Sequence, residues 1–144
     1  MPDFKHTPEQ ARAAWVAALR SDAYQQSQGA LRDVNYHTEK SSFCCLGVAC
    51  DVFLKLEGRG EWDCDDYFVV GDYDSSTALP DPVAEWLGLS SSLGRLTEEI
   101  DYNSIRVARD LTDLNDSAKY SFGDIADLIE GGKVALSHIP ARNQ

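Results

Sequence analysis

Ala11, Trp15, Ala18 and Leu19 recur at helical spacing, with Arg12 and Arg20 on the polar side, and this pattern predicts a helix over residues 8–20. Thr7-Pro8-Glu9-Gln10 is its start signal: Thr7 can cap, Pro8 suits the first helical position, and Gln10 completes a reciprocal capping box. Trp15 is then expected as a core anchor. From residue 24 to 43 the helical period is lost and Ser, Gly, Asn and aromatic residues take over, which predicts a hairpin of residues 24–31 paired with 35–43. Residues 44–57 follow with Cys45, Leu46, Val48, Ala49, Cys50, Val52, Phe53, Leu54 and Leu56. A helix with so little polar face must be buried on most sides, so it is the expected central element, capped by Ser41 or Ser42 and stopped by Gly58.

Beyond Gly58 the chain to residue 76 is acidic, aromatic and mostly loop-like, with residues 67–70 as its one expected strand. Asp81-Pro82 begins a third, short helix with Val83, Trp86 and Leu87 inward and Gly88 as its stop. Val107, Leu111 and Leu114, at i, i+4 and i+7, predict a fourth helix over residues 104–114. Ser121 with Asp124 resembles a capping box for a fifth, in which Phe122, Ile125 and Ile129 point inward before Gly131-Gly132. Residues 133–137 read as a last strand and 140–144 as a frayed end. No repeat, low-complexity segment or linker divides the chain. The expected architecture is a single α+β domain over residues 1–144, with an ordered core of about residues 8–139: a buried central helix, surrounding amphipathic helices and a small antiparallel sheet.

Composition narrows the functional classes. The chain has 144 residues, 43% hydrophobic and 26% charged, the mix of a packed domain, and its formal net charge is −11. A broad basic surface for direct nucleic-acid binding is excluded on that balance. The longest apolar window, residues 43–56, is broken by Asp51 and Lys55, so no membrane span is expected. The first ten residues, MPDFKHTPEQ, have neither a basic start with an apolar run nor a small-residue cleavage site, which points to the cytoplasm. There the thiols of Cys44, Cys45, Cys50 and Cys64 are expected to be free.

Three segments carry a resemblance: Phe43-Cys44-Cys45-Leu46-Gly47-Val48-Ala49-Cys50-Asp51; Leu79-Pro80-Asp81-Pro82-Val83 leading to Trp86-Leu87-Gly88-Leu89; and Leu111-Thr112-Asp113-Leu114-Asn115-Asp116 leading to Ser121-Phe122-Gly123-Asp124-Ile125-Ala126-Asp127. Over roughly residues 8–131 the chain resembles small uncharacterised proteins of tailed phages and prophages, including those of actinobacteria, in which a Trp-containing helix precedes a Cys-Cys-Leu-Gly-Val segment. The resemblance brings no catalytic residues and no cofactor. It implies a phage-encoded accessory protein working in the host cytoplasm, a class in which binding to host machinery is common.

Three chemistries compete with ordinary packing. A thiol nucleophile, Cys44 or Cys45, would stand at the N-terminus of the central helix, where the dipole and free N–H groups lower a thiol pKa; His37 or His138 would have to be its base. Cysteines on an apolar helix are also what core packing uses. A metal site is not expected: the cysteine spacings do not give two zinc knuckles, and Asp63, Asp65, Asp66, Asp72 and Asp74 miss the EF-hand register, with Phe68 at the glycine position and Asp74 at the twelfth. Asp110, Asp113, Asn115 and Asp116 offer either paired carboxylates or turn-building side chains, the latter sufficing for their spacing.

Charge distribution is the more informative feature. Residues 61–104 hold Glu61, Asp63, Asp65, Asp66, Asp72, Asp74, Asp81, Glu85, Glu98, Glu99 and Asp101 against Arg95 alone, a net of −10, which leaves the rest of the chain near neutral. A single-sign field attracts a basic surface, and Trp62, Tyr67, Tyr73 and Tyr102 are interspersed as candidate aromatic anchors. Acidic loops also serve solubility alone. The expected function is therefore binding of a host protein with a basic surface, as a DNA-charge mimic or inhibitor, through Glu61, Trp62, Asp63, Asp65, Asp66, Asp72, Tyr73 and Asp74. The alternatives are a cysteine-dependent hydrolase or transferase and a protein that sequesters a small ligand.

Overall fold

A computed structural model describes residues 4–103 and 105–137 as one α+β domain. The first helix, α1 (Pro8–Arg20), begins with the expected capping box: Thr7 Oγ1 accepts from Gln10 N–H and Gln10 Oε1 from Thr7 N–H. Trp15 is fully buried and its indole N–H donates to Cys45 O at 2.9 Å, tying α1 to the central helix.

The hairpin differs from its expected registry. The antiparallel pair is β1 (Arg32–Asn35) with β2 (Lys40–Phe43), joined through a turn in which Asn35 Oδ1 accepts from His37 and Thr38 N–H. Residues 24–31 form no antiparallel strand and meet β2 through an isolated parallel bridge, Gln26 with Phe43, and the edge-on contact of the Tyr24 and Phe43 rings. The reason lies far along the chain: Gln26 and Ser27 are held by Asn115, a partner no local pattern reveals.

Cys44 itself, not Ser41 or Ser42, caps the central helix α2 (Cys45–Glu57), its Sγ accepting from Gly47 N–H at 3.4 Å. As its composition requires, α2 is buried along most of its length and packs against α1 and β2. Gly47 is there because the Leu31 backbone crosses the helix: a Cβ on it would overlap Leu31 O and stand 2.6 Å from Leu31 C. Gly58, in the left-handed region at φ 71°, ends α2 as expected.

Residues 61–75 form more structure than a single strand. They make a three-stranded antiparallel sheet, β3 (Glu61–Trp62), β4 (Phe68–Val70) and β5 (Tyr73–Ser75), in the order β3-β4-β5. The third helix, α3 (Asp81–Leu87), ends at Gly88 as expected, with Val83, Trp86 and Leu87 fully buried.

The predicted helix over residues 104–114 is corrected by the structure. Its described part is a strand followed by a short helix: β6 (Arg95–Asn103) pairs antiparallel with β7 (Arg106–Asp110), and α4 (Leu111–Asp116) starts only where Asp110 caps it through Asp113 N–H. Leu111 and Leu114 are a true helical pair, whereas Val107 pairs in β7 with Asp101; the helical spacing straddled an element boundary. The last helix, α5 (Phe122–Glu130), is capped by Ser121 as expected. Residues 133–137 form no strand, only single bridges of Val134 with Leu96 and Leu136 with Leu89. The expected frayed end, residues 140–144, lies outside the described residues. Among the described residues no helix is long and apolar enough to cross a membrane.

Candidate functional site

The cysteines are placed by packing. Cys44, Cys45 and Cys50 are buried and Cys64 is exposed, all as free thiols. Burial pushes the Cys44 thiol up to about 11 despite the bond from Gly47 N–H, and drives the Cys45 thiol well above its ordinary value, with Cys44 and Asp116 adding to the rise. His37 sits in the exposed turn beyond β2, so even the near end of that strand, Lys40, is about 13 Å of extended chain from Cys44. His138 lies outside the described residues. No thiol–imidazole pair is assembled among the described residues.

The Asx cluster around α4 builds backbone. Asp113 Oδ2 accepts from Arg109 N–H, and Asp110 is the cap, its carboxyl raised by burial and then by Asp113. Buried Asn115 accepts from Cys45 N–H and Gln26 Nε2 and donates to Ser27 O and Asp116, while Asp116 accepts from Gly29 N–H. Sequence spacing marked Asn115 as a turn residue and missed this clamp, which joins α2, α4 and the 21–31 loop.

The acidic stretch divides by environment. Asp63 Oδ1 accepts from Asp65 and Tyr67 N–H and so shapes the β3–β4 turn. Asp66 is mostly covered and paired with Arg32 at 2.7 Å. Trp62 is half-buried: its N–H donates to Asp51, its ring tilts over Phe68 at 4.9 Å, and the Arg32 guanidinium stands 4.8 Å from its centroid. These three expected binding residues work in folding. Tyr102 also packs against the core.

Glu61, Asp65, Asp72, Tyr73 and Asp74 remain exposed. Register explains this for the two strand acids: Glu61 opposes Val69 and Val69 opposes Asp74, so both flank one valine on the outer face, about 10 Å apart over two strand spacings, whereas Tyr73 opposes Val70 on the other face. Trp62 and Phe68 form the neighbouring row on the inner face. Asp72 is in the β4–β5 turn and Asp65 in the β3–β4 turn.

Several other acids meet cations. Asp51 binds Lys55, Asp66 binds Arg32, Glu99 binds Arg109, and Asp127 and Glu130 bind Arg20. Glu57 is buried and accepts from Lys5 and His6 N–H, His6 Nδ1 and Trp86 Nε1; burial alone would raise its carboxyl, but these bonds outweigh it and hold the group below the usual range. Glu61, Asp65, Asp72, Asp74 and Asp81 have no cationic partner within ion-pair distance among the described residues.

Beside this face lies a cavity of about 560 Å³. Val70, Asp72 and Tyr73 line it from the β4–β5 hairpin, and Asp81, Pro82 and Glu85 from α3. Arg59 closes another side, its guanidinium carbon 5.0 Å from the Phe4 ring centroid and 5.6 Å from that of Phe53. Nothing in the local pattern of Gly58-Arg59-Gly60 signals this, because the cavity exists only once α3 is folded against the sheet. Among the described residues no group of three or more His, Cys, Asp or Glu side chains converges to hold a metal ion.

A family model described as a domain of unknown function, DUF8296, matches residues 8–133. No curated protein and no solved structure matches the chain. The matched span runs from the first residue of α1 to just beyond α5, and the chain belongs to the DUF8296 family.

Proposed function

We propose that this DUF8296 protein acts by binding a partner protein with a basic surface, through the outer face of the β3-β4-β5 sheet. The observation that carries the reading is a local concentration of unpaired charge: Glu61, Asp65, Asp72 and Asp74 are exposed together on one small sheet and its turns, with no cation within ion-pair distance among the described residues. Such a face speeds encounter with a basic surface and selects against acidic ones. The phage resemblance of the three quoted segments makes the partner a host protein in the cytoplasm. A nucleic-acid-binding protein occupied by charge mimicry is the form that best suits an acidic face.

The binding set is narrower than the acidic stretch. Asp63, Asp66 and Trp62 shape the sheet that presents the face; Glu61, Asp65, Asp72, Asp74 and Tyr73 meet the partner. Pull-down from a bacterial host lysate tests this with the chain and its E61Q/D65N/D72N/D74N variant. A basic protein retained by the chain and lost from the variant, more readily eluted as salt rises, supports the reading; undiminished capture overturns it.

A further inference from the structure

We propose that the cavity between the β4–β5 turn and α3 is the anchor of this face and receives one arginine side chain of the partner polypeptide. The inference rests on the binding reading above and adds to it the place and chemistry of the central contact.

At about 560 Å³ the cavity is of the size that takes a small organic group, well beyond what a single water fills. Its lining is of two kinds. Val70 is buried, and Pro82 with the Tyr73 ring extends the apolar wall, a surface for a methylene stem. Tyr73 is still 49% exposed, so its ring is open to a cation. Asp72 and Asp81 are exposed carboxylates on opposite elements, the hairpin and α3, and neither is ion-paired among the described residues.

The cation already in the wall does not cancel this field. Arg59 is held over Phe4 and Phe53, its Nη2 is closed off from solvent, and it is one cation against the two exposed carboxylates of Asp72 and Asp81. A lining with net negative charge, apolar stem surface and an open aromatic ring is complementary to a long cationic side chain. Guanidinium is favoured over ammonium because it is less strongly hydrated and stacks on an aromatic face. Arginine is also enriched among the few residues that dominate binding energy at interfaces.

The test is an amide NMR titration of the labelled full chain with the blocked tripeptide Gly-Arg-Gly, its citrulline and lysine counterparts, and a longer Arg/Gly peptide. Saturable shifts centred on Gly60, Gly71 and Tyr73 are expected with the arginine tripeptide, with none from neutral citrulline. The D72N/D81N and Y73A variants should each weaken that binding at least fivefold, their unchanged spectra elsewhere showing that they fold, while D22N/D33N, at two exposed acids that do not line the cavity, retains it. No response at the cavity to the tripeptide, with the longer peptide still shifting β3 and β5, overturns the anchor and leaves the binding face standing. If the longer peptide also shifts nothing, both are overturned. Lysine binding as tightly as arginine overturns the choice of guanidinium.

Discussion

Gly47→Ala sets helix propensity against tertiary packing, and the structure decides which wins. Inside a helix alanine is favoured over glycine by about 1 kcal/mol, so α2 taken alone would gain from the change. The new Cβ, however, would overlap Leu31 O and stand 2.6 Å from Leu31 C. Carbon contacts rest at about 3.5–4.0 Å, so Leu31 would have to retreat by about 1 Å on that atom alone. Its backbone is not free to do so: Cys44 N–H donates to Leu31 O and Leu31 N–H donates to Ser76 O at 2.7 Å. Overpacking costs about 1–3 kcal/mol, and stretching a buried backbone hydrogen bond about 1–3 kcal/mol more. The net expectation, after the propensity gain, is a loss of about 3 kcal/mol, or roughly 10 °C in melting temperature for a chain of this length. Urea unfolding followed by circular dichroism measures it, with an unchanged slope showing that the loss is one of stability. A variant as stable as the parent would refute the claim that the Leu31 crossing fixes this glycine.

Other outcomes follow from the same contacts. Glu57→Gln should cost about 2–3 kcal/mol near pH 7, since Gln presents an amide donor to groups that are themselves donors; because the folded-state carboxyl is held low, the native advantage is present above the unfolded pKa and fades as pH falls through the folded value, so the urea midpoints of parent and variant should converge in acid. Asn115→Ala removes a buried side chain bonded to α2, the 21–31 loop and Asp116, with an expected loss of about 3 kcal/mol and faster amide exchange at Ser27 and Gly29. In the native protein iodoacetamide should label Cys64 while leaving Cys44, Cys45 and Cys50 intact, and all four should react in urea; rapid native labelling of Cys44 would reinstate a reactive thiol. E61Q/D74N should leave the unfolding midpoint unchanged or slightly raised, because two like charges about 10 Å apart in water repel by only about 0.4 kcal/mol.

What was legible in the sequence was whatever local chemistry dictates. The capping box at Thr7, the side-chain cap at Ser121, the stop at Gly58 and the apolar wrap of residues 44–57 each act within a few residues, and each stands where it was expected. The fourth helix failed because Val107 belongs to β7 and Leu111 to α4, and three apolar positions at helical spacing cannot report an element boundary between them. Long-range pairing was equally invisible: Arg32 with Asp66, and Gln26 with Asn115, are joined only by the fold. The same limit divided the candidate site. Counting acids located the charged stretch, but telling Asp66 from Asp65 required the long-range pair with Arg32, and telling Trp62 from Tyr73, which share one face of the sheet, required knowing how far the core reaches beneath it.

Fluorescence anisotropy of a labelled Arg/Gly peptide puts the acidic face to its most direct test, comparing the chain with two variants that lose the same net charge. One is E61Q/D65N/D72N/D74N; the other, D22N/D33N/E98Q/D101N, neutralises four exposed acids outside the β3-β4-β5 sheet and its turns. If the sheet face is the binding surface, the first variant should bind at least tenfold more weakly and lose most of the salt dependence, while the second stays within about twofold of the parent. Equal weakening by both variants would mean that total charge, not this face, draws the peptide, and would contradict the proposed function.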